Sequence, residues 1–309
     1  DLHSFPTRRS SDLQLGPITV DLSGHTLTVN GTASKPVDTK NRPLTIKDTA
    51  GSGKFVVNMA SPAALFGLDA SKNGLVVDAA AEITGHNDTG ALKAINAAST
   101  NAASCEVKFT KFLTLHDIYT GNKGENNGNN TTAIWQSGRG EFTASGGMSA
   151  TAIYGTILHN KGMKDLVVNG GNITLEAAAN VNDTTKYLVA HAQTTGKICI
   201  NTAADGTAGT GTTKVKGDIL LGAGHAYLSL MDGESAWTGT VDKSLATAAG
   251  TMTLNLANGA RWTNQRLFLG DSVKAAPVIE RFTGGASLAN AGVIDQTHGD
   301  DLKIGRAHV

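Results

Sequence analysis

Residues 251–262, TMTLNLANGARW, carry the pattern that most limits what this chain can become. Met252, Leu254 and Leu256 alternate with Thr251, Thr253 and Asn255, and Asn258-Gly259 then supplies a turn. Successive side chains of a strand point to opposite faces, so a period of two gives one apolar and one polar face. The same alternation runs through Ile18, Val20 and Leu22, resumes after Ser23-Gly24 at Leu27 and Val29, and returns at Phe55, Val57 and Met59. Alternation bounded by Gly and Asn clusters predicts half-buried strands. Two stretches read as short helical excursions. One is SPAALFGLD (61–69), with Ser61 as a cap and Pro62 at the first helical position; the other is DTGALKAINAAS (88–99).

The strands recur in cassettes rather than in a few long hairpins. ITVDLSGHTLTVNG, PLTIKDTAGSGKFVVN, DLVVNGGNITLEAA and GHAYLSLMDGESAWTG each join a polar turn to a Thr/Val/Leu strand. Strand starts fall at Ile18, Leu44 and Leu75. Their spacing lies within the period of roughly 20–50 residues that points to solenoids. A ribbon this thin cannot bury its own apolar face, so each coil is buried by those above and below it. The expected fold is therefore all-β, a parallel β-helix (β-solenoid) with irregular loops. At roughly 25 residues per coil the chain would make about a dozen coils. TGNKGENNGNNTT (120–132) and NTAADGTAGTGTTK (201–214) are expected to leave the stack as loops.

The two ends do not share this pattern. Residues 1–13, DLHSFPTRRSSDL, have no apolar run for a secretory signal, and they back-translate into a stretch resembling a short-read sequencing adapter. Residues 303–309, KIGRAHV, back-translate into its partner. Both are read as adapter-like artefacts, 1–13 as disordered, which leaves 14–302 as an internal solenoid fragment of a longer gene. Lys+Arg and Asp+Glu are 26 each over the whole chain. Without Arg8, Arg9, Lys303, Arg306, Asp1 and Asp12 the balance is 22 against 24. Such a balance gives no footprint for nucleic acid or an anionic membrane. There are two cysteines. Alternation puts Cys105 inward with Val107 and Phe109, and Cys199 outward, opposite Ile198 and Ile200. Opposite faces argue against a disulfide.

Fragments of catalytic motifs fail on inspection. DTAGSGKF (48–55) lacks the first glycine of a phosphate loop and has Phe55 where magnesium needs a hydroxyl, so it is expected to be a turn. Ser272 in LGDSV has no marked base. Asp232 with Glu234, or Asp300 with Asp301, are the acid pairs a carbohydrate-active enzyme would need, but Asp232-Gly233-Glu234 reads as a turn. His25, His86, His116, His159, His191 and His225 show no spacing of i, i+2 or i+4. Trp135, Trp237 and Trp262 are expected to cap the stack at corners rather than to serve as sugar platforms. No catalytic, cofactor-binding or metal residue is assigned, and no cofactor is expected.

LSLMDGESAWTGTV followed by GTMTLNLANGARWTN resembles the passenger region of autotransporters, the type V secreted surface proteins of Gram-negative bacteria. Trp237-Thr238-Gly239 and Asn258-Gly259-Ala260-Arg261-Trp262 stand where that family repeats a strand, a short turn and a tryptophan. The opening cassettes are similar to passenger rungs. The resemblance implies a right-handed parallel β-helix exported across the outer membrane to the cell surface, where it acts as a non-enzymatic stalk or adhesin. Its implied partners are an outer-membrane translocator barrel beyond this fragment and host or glycan surface ligands, with no nucleic acid and no insertion of this segment into a membrane. A β-helical polysaccharide lyase or glycoside hydrolase, and a structural fibre or tail solenoid, are the alternatives.

Overall fold

A computed structural model describes residues 16–31, 34–40, 42–60, 66–71, 73–88, 90–99, 105–121, 131–178, 188–243, 250–267, 278–285, 287–297, 303–304 and 307–308. Nearly every described element is a parallel strand, and all but one two-stranded pair lie in three sheets around one interior. The first sheet has eleven strands, from Ile18–Asp21 to Ala307–His308; the second has ten, from Thr26–Gly31 to Val293–Asp295. The third has eight, from Val37–Asp38 to Val241–Asp242. The chain visits the sheets in rotation, so each strand pairs with the strand one coil earlier and one coil later. This is a parallel β-helix.

The register reproduces the spacing seen in the sequence: Ile18 stands beside Leu44, and Leu44 beside Leu75. Elsewhere the step varies. A short coil brings Leu166 beside Phe142, and a much longer one brings Gly140 beside Cys105. Among the described residues eight coils carry all three strands, and the eleven strands of the first sheet mark further turns without a described third-sheet strand. Alternation puts Phe55, Val57, Met59, Phe109, Phe142, Leu228 and Leu254 into a single core cluster that reaches from Leu22 to Ile279.

Most corners between the first and second sheets are tight. Ser23-Gly24 and Asn258-Gly259 each place two consecutive residues at positive φ (48° and 84°, 55° and 79°), which suits Gly and Asn and explains those dipeptides. Residues 48–53 are a turn, as expected. The Asp48 carboxylate accepts the N–H groups of Gly24 (2.7 Å) and Gly53 (2.5 Å), which hold its pKa below the usual carboxylate range. The chain's own carboxylate thus takes the amides that a phosphate would need.

Two expectations are corrected. Phe66–Asp69 and Leu92–Ser99, read as parts of helices, are strands of the third sheet. Leu68 pairs with Ile95, and Ile95 with Ile134. Ladder bonds from the coils on either side outweigh the weak helical preference of alanine-rich segments. Cys199 faces outward as expected, yet it is fully buried. It lies between Val167 and Tyr227 on the outer face of the first sheet, outside the main core cluster. There the turn at Ala203–Gly206 approaches it: Lys197 Nζ donates to the Ala204 carbonyl (2.7 Å), and Gly206 lies against Tyr227. Cys105 is buried inward as expected, and both thiols are free. The 201–214 stretch does leave the sheets, from Asn201 until the strand Thr213–Lys216.

Residues 1–13, 61–65, 122–130 and 298–302 lie outside the described residues, and with them the expected disordered start and most of the Asn/Gly loop. Lys303–Ile304 pairs with Val278–Ile279, and Ala307–His308 pairs with Phe282–Thr283. Short backbone segments can close a sheet edge whatever their side chains.

Candidate functional site

Parallel in-register stacking gives outward side chains a spacing that the sequence hides: neighbours in space are one coil apart. On the third sheet an outward row runs Asp69, Asn96, Trp135, His159, His191, Leu220, Asp242. Asn96 Nδ2 donates to Asp69 (2.7 Å), whose other oxygen pairs with Lys35. Lys93 Nζ sits 3.6 Å from the Trp135 ring centroid. Trp135 meets His159 edge-on at 4.4 Å, and His159 stacks on His191 at 4.4 Å. Burial, the neighbouring His191 and the positive charges of Lys93 and Lys161 push the His159 pKa down to about 3, although its bond to Gln193 opposes them. Burial alone takes His191 to about 4. Both rings are therefore neutral at pH 7. At the far end Arg266 pairs with the fully buried Asp242 (2.6 Å).

The second sheet carries an open groove of about 400 Å³ across three coils, Lys54–Ala60, Ala80–Asn87 and Leu113–Thr120. One wall is a polar row. Asn58 Nδ2 donates to Asn30 Oδ1 (2.9 Å), Thr84 Oγ1 donates to Asn58 Oδ1 (3.2 Å), and His116 stands beside Thr84 in register. The His116 Nε2 atom lies 3.2 Å from Glu82, and Nδ1 lies 3.6 Å from Asp117. Glu82 also pairs with Lys54, and these two partners hold its pKa below normal. The other wall is aromatic: His86 stacks on Tyr119 (5.3 Å, 11°), and Tyr119 meets Tyr154 edge-on (6.1 Å). Asp117 itself is a bulge residue. The register to the preceding coil shifts between His116 and Ile118, and Asp117 has φ of 51°.

Two further grooves are smaller. One on the first sheet, about 250 Å³, is lined by Asp205, Tyr227, Asn255 and Arg281. Another, about 320 Å³, lies at the corner of the first and second sheets and includes Asp48, Asp78, Lys111 and Phe112. Asp78 there accepts the Thr110 hydroxyl.

The residues singled out from sequence are distributed as follows. Ser272, Asp300 and Asp301 lie outside the described residues. Asp232 and Glu234 occupy a turn, where Asp232 accepts the N–H of Glu234 (3.0 Å) and the Thr212 hydroxyl (2.9 Å). Trp237 and Trp262 are fully buried and stacked at 5.0 Å, a core pair rather than a sugar platform. Spacings of i, i+2 and i+4 do not unite Trp135 with the histidines; whole coils do, from Trp135 to His159 and from His159 to His191. The coil register is the signal that finds them. Among the described residues no group of three or more His, Cys, Asp or Glu could hold a metal ion, and no helix is long and apolar enough to cross a membrane. No protein-family profile, curated protein or solved structure matches the chain.

Proposed function

We propose that this chain is a non-enzymatic, surface-displayed segment of an exported solenoid of the autotransporter type, acting as a stalk with adhesive capacity. The observation that carries the reading is the pairing order. In all three sheets each strand bonds only to the strand one coil away. A chain that emerges from a pore can therefore zip its sheets coil upon coil. A chain with only two cysteines, unpaired in the fold, offers few chances for a disulfide to arrest it in an oxidising compartment. The near-neutral charge balance suits a solvated exterior without nucleic-acid partners.

The complete reading frame tests this. A downstream β-barrel, seen as alternating strands of about ten residues, supports the proposal. Protease shaving of intact cells that express the full gene should release the solenoid; retention of the chain inside the cell would refute export. A carbohydrate-active enzyme is the second reading, favoured by Glu82 and Asp117 both reaching His116. Release of reducing sugar from a polysaccharide, abolished by Glu82→Gln, would put that reading first.

A further inference from the structure

We propose that the second-sheet groove between Asn58 and Tyr119 binds a neutral oligosaccharide, with Asp117 as its hydrogen-bond anchor. This deepens the adhesive part of the reading above and does not require export. The volume, about 400 Å³, lies within the roughly 300–1,000 Å³ of ligand sites.

The two walls differ in chemistry. Asn58, Thr84 and His116 offer both donors and acceptors along one side, while His86 and Tyr119 present an aromatic side. The floor includes Met59 and Gly85. A ligand that matches must combine hydroxyls that donate and accept with apolar C–H surface, as a sugar ring does. The lining contains Asp117 and no lysine or arginine among the described residues, and Lys54 nearby is paired with Glu82. Acidic or phosphorylated ligands are disfavoured on that charge. The Asn30–Asn58–Thr84 chain and the His86–Tyr119 stack hold the walls before any ligand arrives, which lowers the entropic cost of binding.

Asp117 supplies the specific argument. Its left-handed backbone is costly for a residue with a side chain, and bulges re-aim side chains beside functional sites. A purely structural account would say that aspartate is there because it tolerates this conformation. The next coil limits that account, although Asp117 also contacts His116 Nδ1 at 3.6 Å. Its bulge residue, Ala152, stands between Thr151 and Ile153, the partners of His116 and Ile118, and has φ of 53°. The stack thus propagates the bulge with alanine, so the backbone does not demand a carboxylate. The carboxylate at 117 lines the groove.

The test uses the full chain on a printed array of neutral, cationic and acidic oligosaccharides, followed by titration calorimetry with the strongest neutral hit. Asp117→Ala, which places at 117 the residue that the neighbouring bulge carries, should weaken binding at least tenfold while circular dichroism keeps the parallel β signature and Tm falls only slightly. Asp205→Ala, in the separate first-sheet groove, should bind as the parent does. Absence of any neutral hit, a preference for acidic or cationic glycans, or full binding by Asp117→Ala would overturn the proposal. None of these results depends on a barrel or on surface location, so this idea and the export reading fail separately.

Discussion

Trp237 and Trp262 show how a single residue type secures the late coils. The indoles lie nearly parallel, 7° apart, and neither is solvent-exposed. Each Nε1–H is satisfied by a glycine carbonyl, Trp237 by Gly217 and Trp262 by Gly239, both at 3.0 Å. A Cβ at Gly239 would fall 2.1 Å from the Gly217 carbonyl oxygen, so glycine is required there for close approach. Trp237→Ala should cost about 3–5 kcal/mol, as large aromatic truncations in cores do, measured by urea denaturation of the two proteins side by side. The cysteines make a second prediction for individual side chains. Burial drives the Cys105 thiol up to about 11 and the Cys199 thiol up to about 12, with nearby carboxylates adding to both and Lys197 partly opposing at Cys199. Since the thiolate is the reactive form, neither should react with a maleimide or disulfide reagent at pH 8 until denaturant is added. Rapid native labelling of Cys199 would show that the turn at Ala203–Gly206 does not protect it.

Within one element, the outward row of the third sheet is a linear electrostatic array. Trp135, Lys93, Lys161, Gln193 and His191 surround His159, and no carboxylate among its described neighbours favours the charged ring. An unfolded chain protonates histidine near 6.5, whereas the folded values are about 3 and about 4. The native state therefore binds fewer protons than the unfolded state in mild acid. Stability should be full above about pH 6.5 and should fall as pH drops through that value toward the folded ones. Glu82, with its lowered pKa, begins to contribute only in stronger acid. Thermal unfolding between pH 7 and pH 5 isolates the histidines, and replacing both by Gln should flatten the curve in that window. An unchanged slope in the double variant would assign the acid sensitivity elsewhere. The row's far end gives a companion test. Arg266→Ala leaves the buried Asp242 without its cation and should cost about 3–5 kcal/mol.

Across the full stack, nearest-neighbour pairing makes the coil the unit of stability. Leu44 and Leu75 are successive register partners, so excision of residues 44–74 removes one period and brings Ile18 beside Leu75. The shortened chain should keep its parallel β signature and lose only part of its stability. Excision of residues 54–74, which leaves the first-sheet strand without its two companions, should be far more damaging. Circular dichroism and denaturation of both deletions decide the matter, and equal damage would argue for a cooperative unit larger than one coil.

The interior of this protein is legible from its residue order. Period-two alternation states which side chains face inward, and it does so for Phe55, Val57, Met59, Cys105 and Leu254. The step from Ile18 to Leu44 to Leu75 states the coil length of the opening turns. Alternation is local, set by the backbone of each strand, and so it is readable residue by residue. The exterior is a product of stacking. Which outward residue stands above which depends on irregular corners that change the step from coil to coil. His191 accordingly reaches His159 by a longer coil than the one that carries the chain from Trp135 to His159. The strand at Leu92–Ser99, the cover over Cys199 and the bulge at Asp117 belong to the same class. Each follows from a contact with another coil, and no spacing along one coil can announce it.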